Sequence, residues 1–85
     1  MPSKKATIEN VRVALKRLKV RHEIEQIEPE TNLFNTGALD SLALIQFVLS
    51  LEEEFSITLD YNDIQFDHFK SFSDIQRLLK SKYGC

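Results

Sequence analysis

The chain has 85 residues, 42% hydrophobic and 28% charged, which suits one domain over 1–85 with a single core and leaves little material for a deep, walled active site. Two glycines and two prolines exclude a low-complexity chain, and the lone cysteine, Cys85, excludes an internal disulfide or a cysteine-based zinc cluster. There is no run of about 18 apolar residues to insert in a membrane, and no apolar stretch follows Met1–Ala6 as a secretory signal requires, so a cytoplasmic protein is expected.

The net charge of −2 conceals three blocks. Residues 1–22 hold seven Lys or Arg against one acid, Glu9. Residues 23–68 hold eleven Asp or Glu and no Lys or Arg. Residues 69–85 return to four basic against one acidic. So negative a middle repels nucleic acid, which is excluded as a partner, and suits a protein with a basic patch.

Ile8, Val11, Leu15 and Leu18 recur at three- and four-residue spacing, which predicts a helix from Ser3 or Thr7 to Lys19. Lys16, Arg17 and Lys19 fall in its last turn, where cations favour the helix dipole. A connection from Val20 to Asp40 follows, with Pro29, Asn32, Asn35 and Gly37 as turn residues. So long a loop is unusual in a compact domain. Its Ile24, Ile27, Leu33, Phe34 and Leu39 predict that it is pinned across the core.

Asp40-Ser41 offers an N-cap for the second helix, which runs to Phe55. Leu42, Leu44, Ile45, Phe47, Val48, Leu49 and Leu51 cover more than one face, so this helix is expected to be central and contacted from several sides. It ends in Glu52, Glu53 and Glu54, which oppose the dipole; a local rule broken in this way hints at function. A short third helix is predicted over 60–66, capped by Asp60. A fourth begins at Ser71 or Ser73, with Ser73 and Gln76 fitting a capping box and Gly84 as its stop. The expected fold is all-α: a four-helix bundle with a long first loop and a short third helix.

Most chemistry-bearing patterns fail. Asp60-Tyr61-Asn62-Asp63 begins like a calcium loop, but Gln65 stands where glycine is needed and Ser71 where glutamate is needed. His22 and His68 lack a second ligand at metal spacing, so no metal site is expected. Asp67-His68 as a base for Ser41 lacks a nucleophile elbow and room for an oxyanion hole. Cys85 reads as a frayed, reactive tail thiol.

Ser41 by itself reads as a helix cap. Its surroundings, Leu33-Phe34-Asn35-Thr36-Gly37-Ala38-Leu39-Asp40-Ser41-Leu42, resemble the attachment-site motif of the acyl carrier protein family, which ends in Asp-Ser-Leu after a glycine-containing turn. The resemblance continues through Ile45, Val48 and Leu51–Phe55, and through Phe69-Lys70-Ser71-Phe72, so it covers nearly the whole chain. It implies a carrier without catalysis of its own. Ser41 would receive a 4'-phosphopantetheine arm from coenzyme A, added by a phosphopantetheinyl transferase that supplies base and magnesium. Cargo would then be held as a thioester and delivered in lipid, cell-wall or secondary-metabolite biosynthesis. Asp40 and Leu42 would complete the recognition site. A helix N-terminus favours the phosphodiester charge that attachment creates.

The family's partners grip an acidic second helix. Here Ala43 and Gln46 stand where acids are usual, and Leu42, Ala43, Leu44 and Gln46 make a neutral or apolar face. Gln46 and the Phe-rich segment 61–69 resemble D-alanyl and peptidyl-type carriers. The expected partner surface is therefore Leu42, Ala43 and Gln46, with Glu52, Glu53 and Glu54 setting encounter rate. The resemblance implies a loading ligase and a downstream transferase as partners, and a monomer is expected. Six phenylalanines filling the core imply a short acyl or aminoacyl cargo held outside the bundle. The alternative is a non-covalent helical interaction module in which Ser41 is only a cap.

Overall fold

The computed structural model describes residues 3–19 and 23–85. Among them are three α-helices, α1 (Ile8–Lys16), α2 (Ser41–Phe55) and α3 (Phe72–Lys82), and three 3-10 turns, Ile24–Gln26, Tyr61–Asp63 and Phe66–His68. The architecture is all-helical, and the predicted short third helix is the last two of those turns. His22 lies outside the described residues.

In α1, Thr7 Oγ1 caps the helix by accepting from Asn10 N–H at 3.1 Å. Val11, Ala14 and Leu15 are its buried face. The helix stops at Lys16, three residues before the expected end. Leu18 and Lys19 amides bond back to Leu15 and Lys16 carbonyls, and Lys19 turns left-handed at φ 57°. Lys16 keeps its place at the dipole's negative end, whereas Lys19 lies beyond the helix.

The long connection is pinned as expected. Ile24, Leu33, Ala38 and Leu39 are buried. Arg12 reaches from α1 to donate Nη2 to the Ile27 carbonyl at 2.6 Å, and its guanidinium lies 5.4 Å from the Phe72 ring centroid. Leu33 N–H donates to Lys70 O, and Ser73 N–H to Pro29 O. One arginine and two backbone bonds thus fasten the loop to α1 and to the start of α3.

α2 is amphipathic and not central. Phe47, Val48, Ser50, Leu51 and Phe55 are buried, but Leu42, Ile45 and Leu49 are 67%, 60% and 56% exposed. The apolar excess is a second stripe, facing outward at i, i+3 and i+7. Ser50 is the small residue where α2 meets α1, its hydroxyl donating to Ala14 O at 2.6 Å. The helix ends at Ser56, a left-handed C-cap with φ 55°.

The segment after α2 fails to become a helix because its side chains bond locally and across the chain. Asp60 carboxylate accepts from Asn62 N–H, an Asx turn, and Gln65 is extended. Asp63 is buried, where Lys82 Nζ (2.8 Å) and Tyr83 OH (2.5 Å) both donate to its carboxylate. Asp60 N–H donates to the same Tyr83 oxygen.

α3 is capped by Ser71, whose Oγ accepts from Asp74 N–H. The expected Ser73–Gln76 box is not used, because Ser73 is engaged with Pro29 and Glu30 across the chain. Gly84, at φ 72°, ends the helix as expected. The segment before α1 is tied down twice: Ala6 N–H donates to Cys85 O, and Ser3 N–H to Phe55 O at the end of α2.

Candidate functional site

Ser41 is the first residue of α2, not its cap. The cap is Asp40, whose Oδ1 accepts from Ala43 N–H at 2.8 Å, while Asp40 O accepts from Leu44 N–H. The local turn aims the pair outward. Asn32 Oδ1 gathers the amides of Phe34 and Asn35, Gly37 crosses at φ 81°, and Leu39 N–H closes onto Leu33 O. Leu39 is thereby anchored in the core one residue before the exposed Asp40-Ser41-Leu42.

Asp40 therefore has a structural duty, and the Ser41 hydroxyl has no hydrogen-bond partner among the described residues. The amides of Ser41 and Leu42 precede the first intrahelical bond, so they head a 15-residue helix unsatisfied by it. That is an exposed hydroxyl set where added negative charge is stabilised.

Behind Ser41 lies the apolar stripe of Leu42, Ile45 and Leu49, with Gln46 exposed beside it and Ala43 half-buried. Reading from sequence missed Ile45 and Leu49 as surface residues, although their spacing from Leu42 was available. Beside Leu49 is a shallow cleft of about 330 Å³, lined by Arg17, Leu18, Gln46, Leu49, Ser50 and Glu53.

The three glutamates part company. Glu54 is almost buried and pairs with Lys4 and Arg17. Glu52 accepts from Leu59 N–H at 2.8 Å. Only Glu53 is largely exposed, with a 3.5 Å contact to Arg17. Two of the three acids named for a partner surface are thus committed within the chain.

Phe66, itself half-exposed, stacks on Phe34 with centroids 4.2 Å apart and planes at 22°. Further in, buried Phe47 and Phe69 meet edge-on at 6.4 Å.

The hydrogen bonds from Lys82, then from Tyr83, hold the Asp63 carboxyl below the usual carboxylate range. The same bond raises Lys82, and burial followed by the Asp63 bond raises Tyr83. Cys85 is not the frayed, reactive thiol expected: it is half-buried and bonded through its backbone, and burial pushes the thiol up. His68 Nδ1 is taken up by Asp63 O. Among the described residues no cluster of three metal-ligating side chains exists, and no helix is long and apolar enough to cross a membrane.

The fold and site define a small helical domain with an exposed serine at the head of a helix whose outer stripe is apolar. The family described as "Phosphopantetheine attachment site" matches residues 11–79, and the chain belongs to it. Its members are carriers with covalently attached 4'-phosphopantetheine and no catalytic activity of their own. The chain is similar to an acyl carrier protein of Desulforapulum autotrophicum, 40% identical over 43 residues, 51% of this chain and 56% of that relative. The match thus spans just over half of the relative's length. Among solved structures it resembles a chain, with TM-score 0.78 and 26% identity over 86% of this chain and 95% of that one. The structure is an engineered Bradyrhizobium japonicum glycine:[carrier protein] ligase complexed with carrier protein from Agrobacterium tumefaciens and ATP.

Proposed function

We propose that Ser41 is the attachment residue and that the chain carries acyl or aminoacyl cargo between enzymes of lipid, cell-wall or secondary-metabolite biosynthesis. The observation that carries this reading is the division of labour at the head of α2: Asp40 caps the helix, leaving the Ser41 hydroxyl exposed and uncommitted. Ser41 Oγ and the leading amides of Ser41 and Leu42 would hold the arm's phosphate, in keeping with the helix dipole. When bound, the arm supplies the terminal thiol that holds cargo as a thioester. The residues here need not activate Ser41, because the phosphopantetheinyl transferase brings base and metal.

The solved neighbour was crystallised with an amino acid-specific ligase, which favours an aminoacyl- or acyl-loading ligase as a partner here, followed by a downstream transferase. Such partners would dock on Leu42, Ala43, Ile45, Gln46 and Leu49, with Glu53 as the acid left to steer a basic patch. The same reading has the protein working as a cytoplasmic monomer. The alternative of a non-covalent module loses its premise that Ser41 is the cap.

Incubation with coenzyme A and a transferase, followed by intact mass, tests the reading. A single added arm on the wild type and none on Ser41→Ala is expected. Modification at Ser50, Ser56, Ser71 or Ser73 instead would overturn it. Loading assays across amino acid and acyl donors then identify the cargo.

A further inference from the structure

We propose that the stacked pair Phe34–Phe66 is a gate that closes the seam between α2 and residues 57–69 at its Ser41 end, restricting cargo to amino acids and short acyl groups held outside the fold. The inference rests on the carrier reading and names its substrate class.

Residues 57–69 contain no α-helix; Leu59 and Phe69 are buried in the core, Ile57 and Ile64 pack against it, and discrete polar fastenings add to this. Glu52 holds Leu59 N–H, Tyr83 holds Asp60 N–H, and Lys82 and Tyr83 hold Asp63. Two ring pairs complete the attachment. The inner pair, Phe47–Phe69, joins α2 to the segment within the core, and both rings are wholly buried. The outer pair, Phe34–Phe66, joins the segment to the turn that leads into Ser41.

The backbone sets where the outer pair lies. Gly37 N–H donates to Phe34 O and Leu39 N–H to Leu33 O, so the turn that carries Phe34 ends beside Asp40. A chain attached at Ser41 and entering the seam from that end would part the outer rings first and then meet the inner pair. The core behind is filled by Phe47, Phe55, Phe69 and Phe72, none of them exposed, and close-packed rings leave no room without displacement. The outer pair differs because Phe66 is 54% exposed. Parting it loses one stacking contact and little burial, so it is the movable element and the ring on which cargo length depends.

Carriers are loaded by a transferase from acetyl-, hexanoyl- and decanoyl-coenzyme A, checked by intact mass, and melted. In that loading Ser41 Oγ displaces 3',5'-ADP from coenzyme A and its proton leaves to solvent. The wild type should melt within about 2 °C across the three chains, whereas Phe66→Ala should gain roughly 4 °C or more from acetyl to decanoyl as apolar chain is buried. Should Phe66→Ala fail to fold, Phe66→Leu replaces it, with hydrogen exchange at the Ile64 and Phe69 amides slowed by decanoyl only in the variant. A wild type that stabilises steadily with chain length, or a folded variant that stays flat, overturns the gate. Absence of any mass gain overturns the carrier reading itself, a result distinguishable from either.

Discussion

The two ends of α2 are built on opposite principles. At the Ser41 end the cap is local: one carboxylate, Asp40, reaches three residues along the chain, and the side chains beyond it are left to solvent. At the Phe55 end the acids reach far. Glu54 pairs with residues 37 and 50 positions away, and Glu52 holds the strand of chain that follows. The contrast shows that charge density along a helix does not tell which end is left free. The acidic end is mostly spoken for, and the neutral end is the one left open.

The largest effect should come from Ser41→Ala, which abolishes mass gain with a transferase while changing stability by no more than about 0.5 kcal/mol, since the capping bond belongs to Asp40. Were this variant to unfold, the two ends would not differ as described. Next is Glu54→Gln, which removes the charge that Lys4 and Arg17 pair with; because both cations are nearly half exposed, it should cost about 1 kcal/mol by denaturant titration. Glu53→Gln should leave the denaturation midpoint within about 0.5 kcal/mol and slow capture by a basic partner at low salt in stopped-flow. Asp40→Ala should cost about 1 kcal/mol. Ser56→Gly, alone among these, relieves the left-handed cap and should stabilise by about 0.5–1 kcal/mol, read as a higher melting temperature.

A pH series sharpens the view of the segment between α2 and α3. The Asp63 carboxyl is depressed in the fold, so its contribution is complete above the unfolded value near about 3.9 and is lost as pH falls through the folded value. Lys82 is raised, so its contribution is complete below about 10.4 and lost as pH climbs past the folded value. Stability from this cluster should be level between those limits. Asp63→Asn should remove the acid limb attributable to it, measured by melts from pH 2 to 7.

Much of this was legible in the sequence because it rests on short-range pattern. The spacing of Val11 and Leu15, the apolar residues that pin the 23–40 loop, and the turn leading to Ser41 all show within a few residues of each other. What escaped depends on distant partners or on coverage. The 3-10 geometry around Asp63 is set by Lys82, nineteen residues on. Ser71 rather than Ser73 caps α3 because Ser73 is drawn to Pro29 and Glu30. Leu42 was legible as surface, but Ile45 and Leu49 read as burial because hydrophobicity reports what prefers to be covered, not what is. At the site, the motif pointed to Ser41 but not to the separation of capping from attachment, a one-residue matter of backbone geometry.

The bond between Ala6 and Cys85 makes the domain nearly a ring. In topological terms Ala6 and Cys85 are neighbours, on segments that do not carry Ser41 or the outward stripe of α2. A short peptide joining them would close the chain without moving the core. Closure removes conformations from the unfolded chain while leaving the folded one as it is. A cyclised form should therefore resist heat and terminal proteases better than the linear chain and still present the same serine on the same helix.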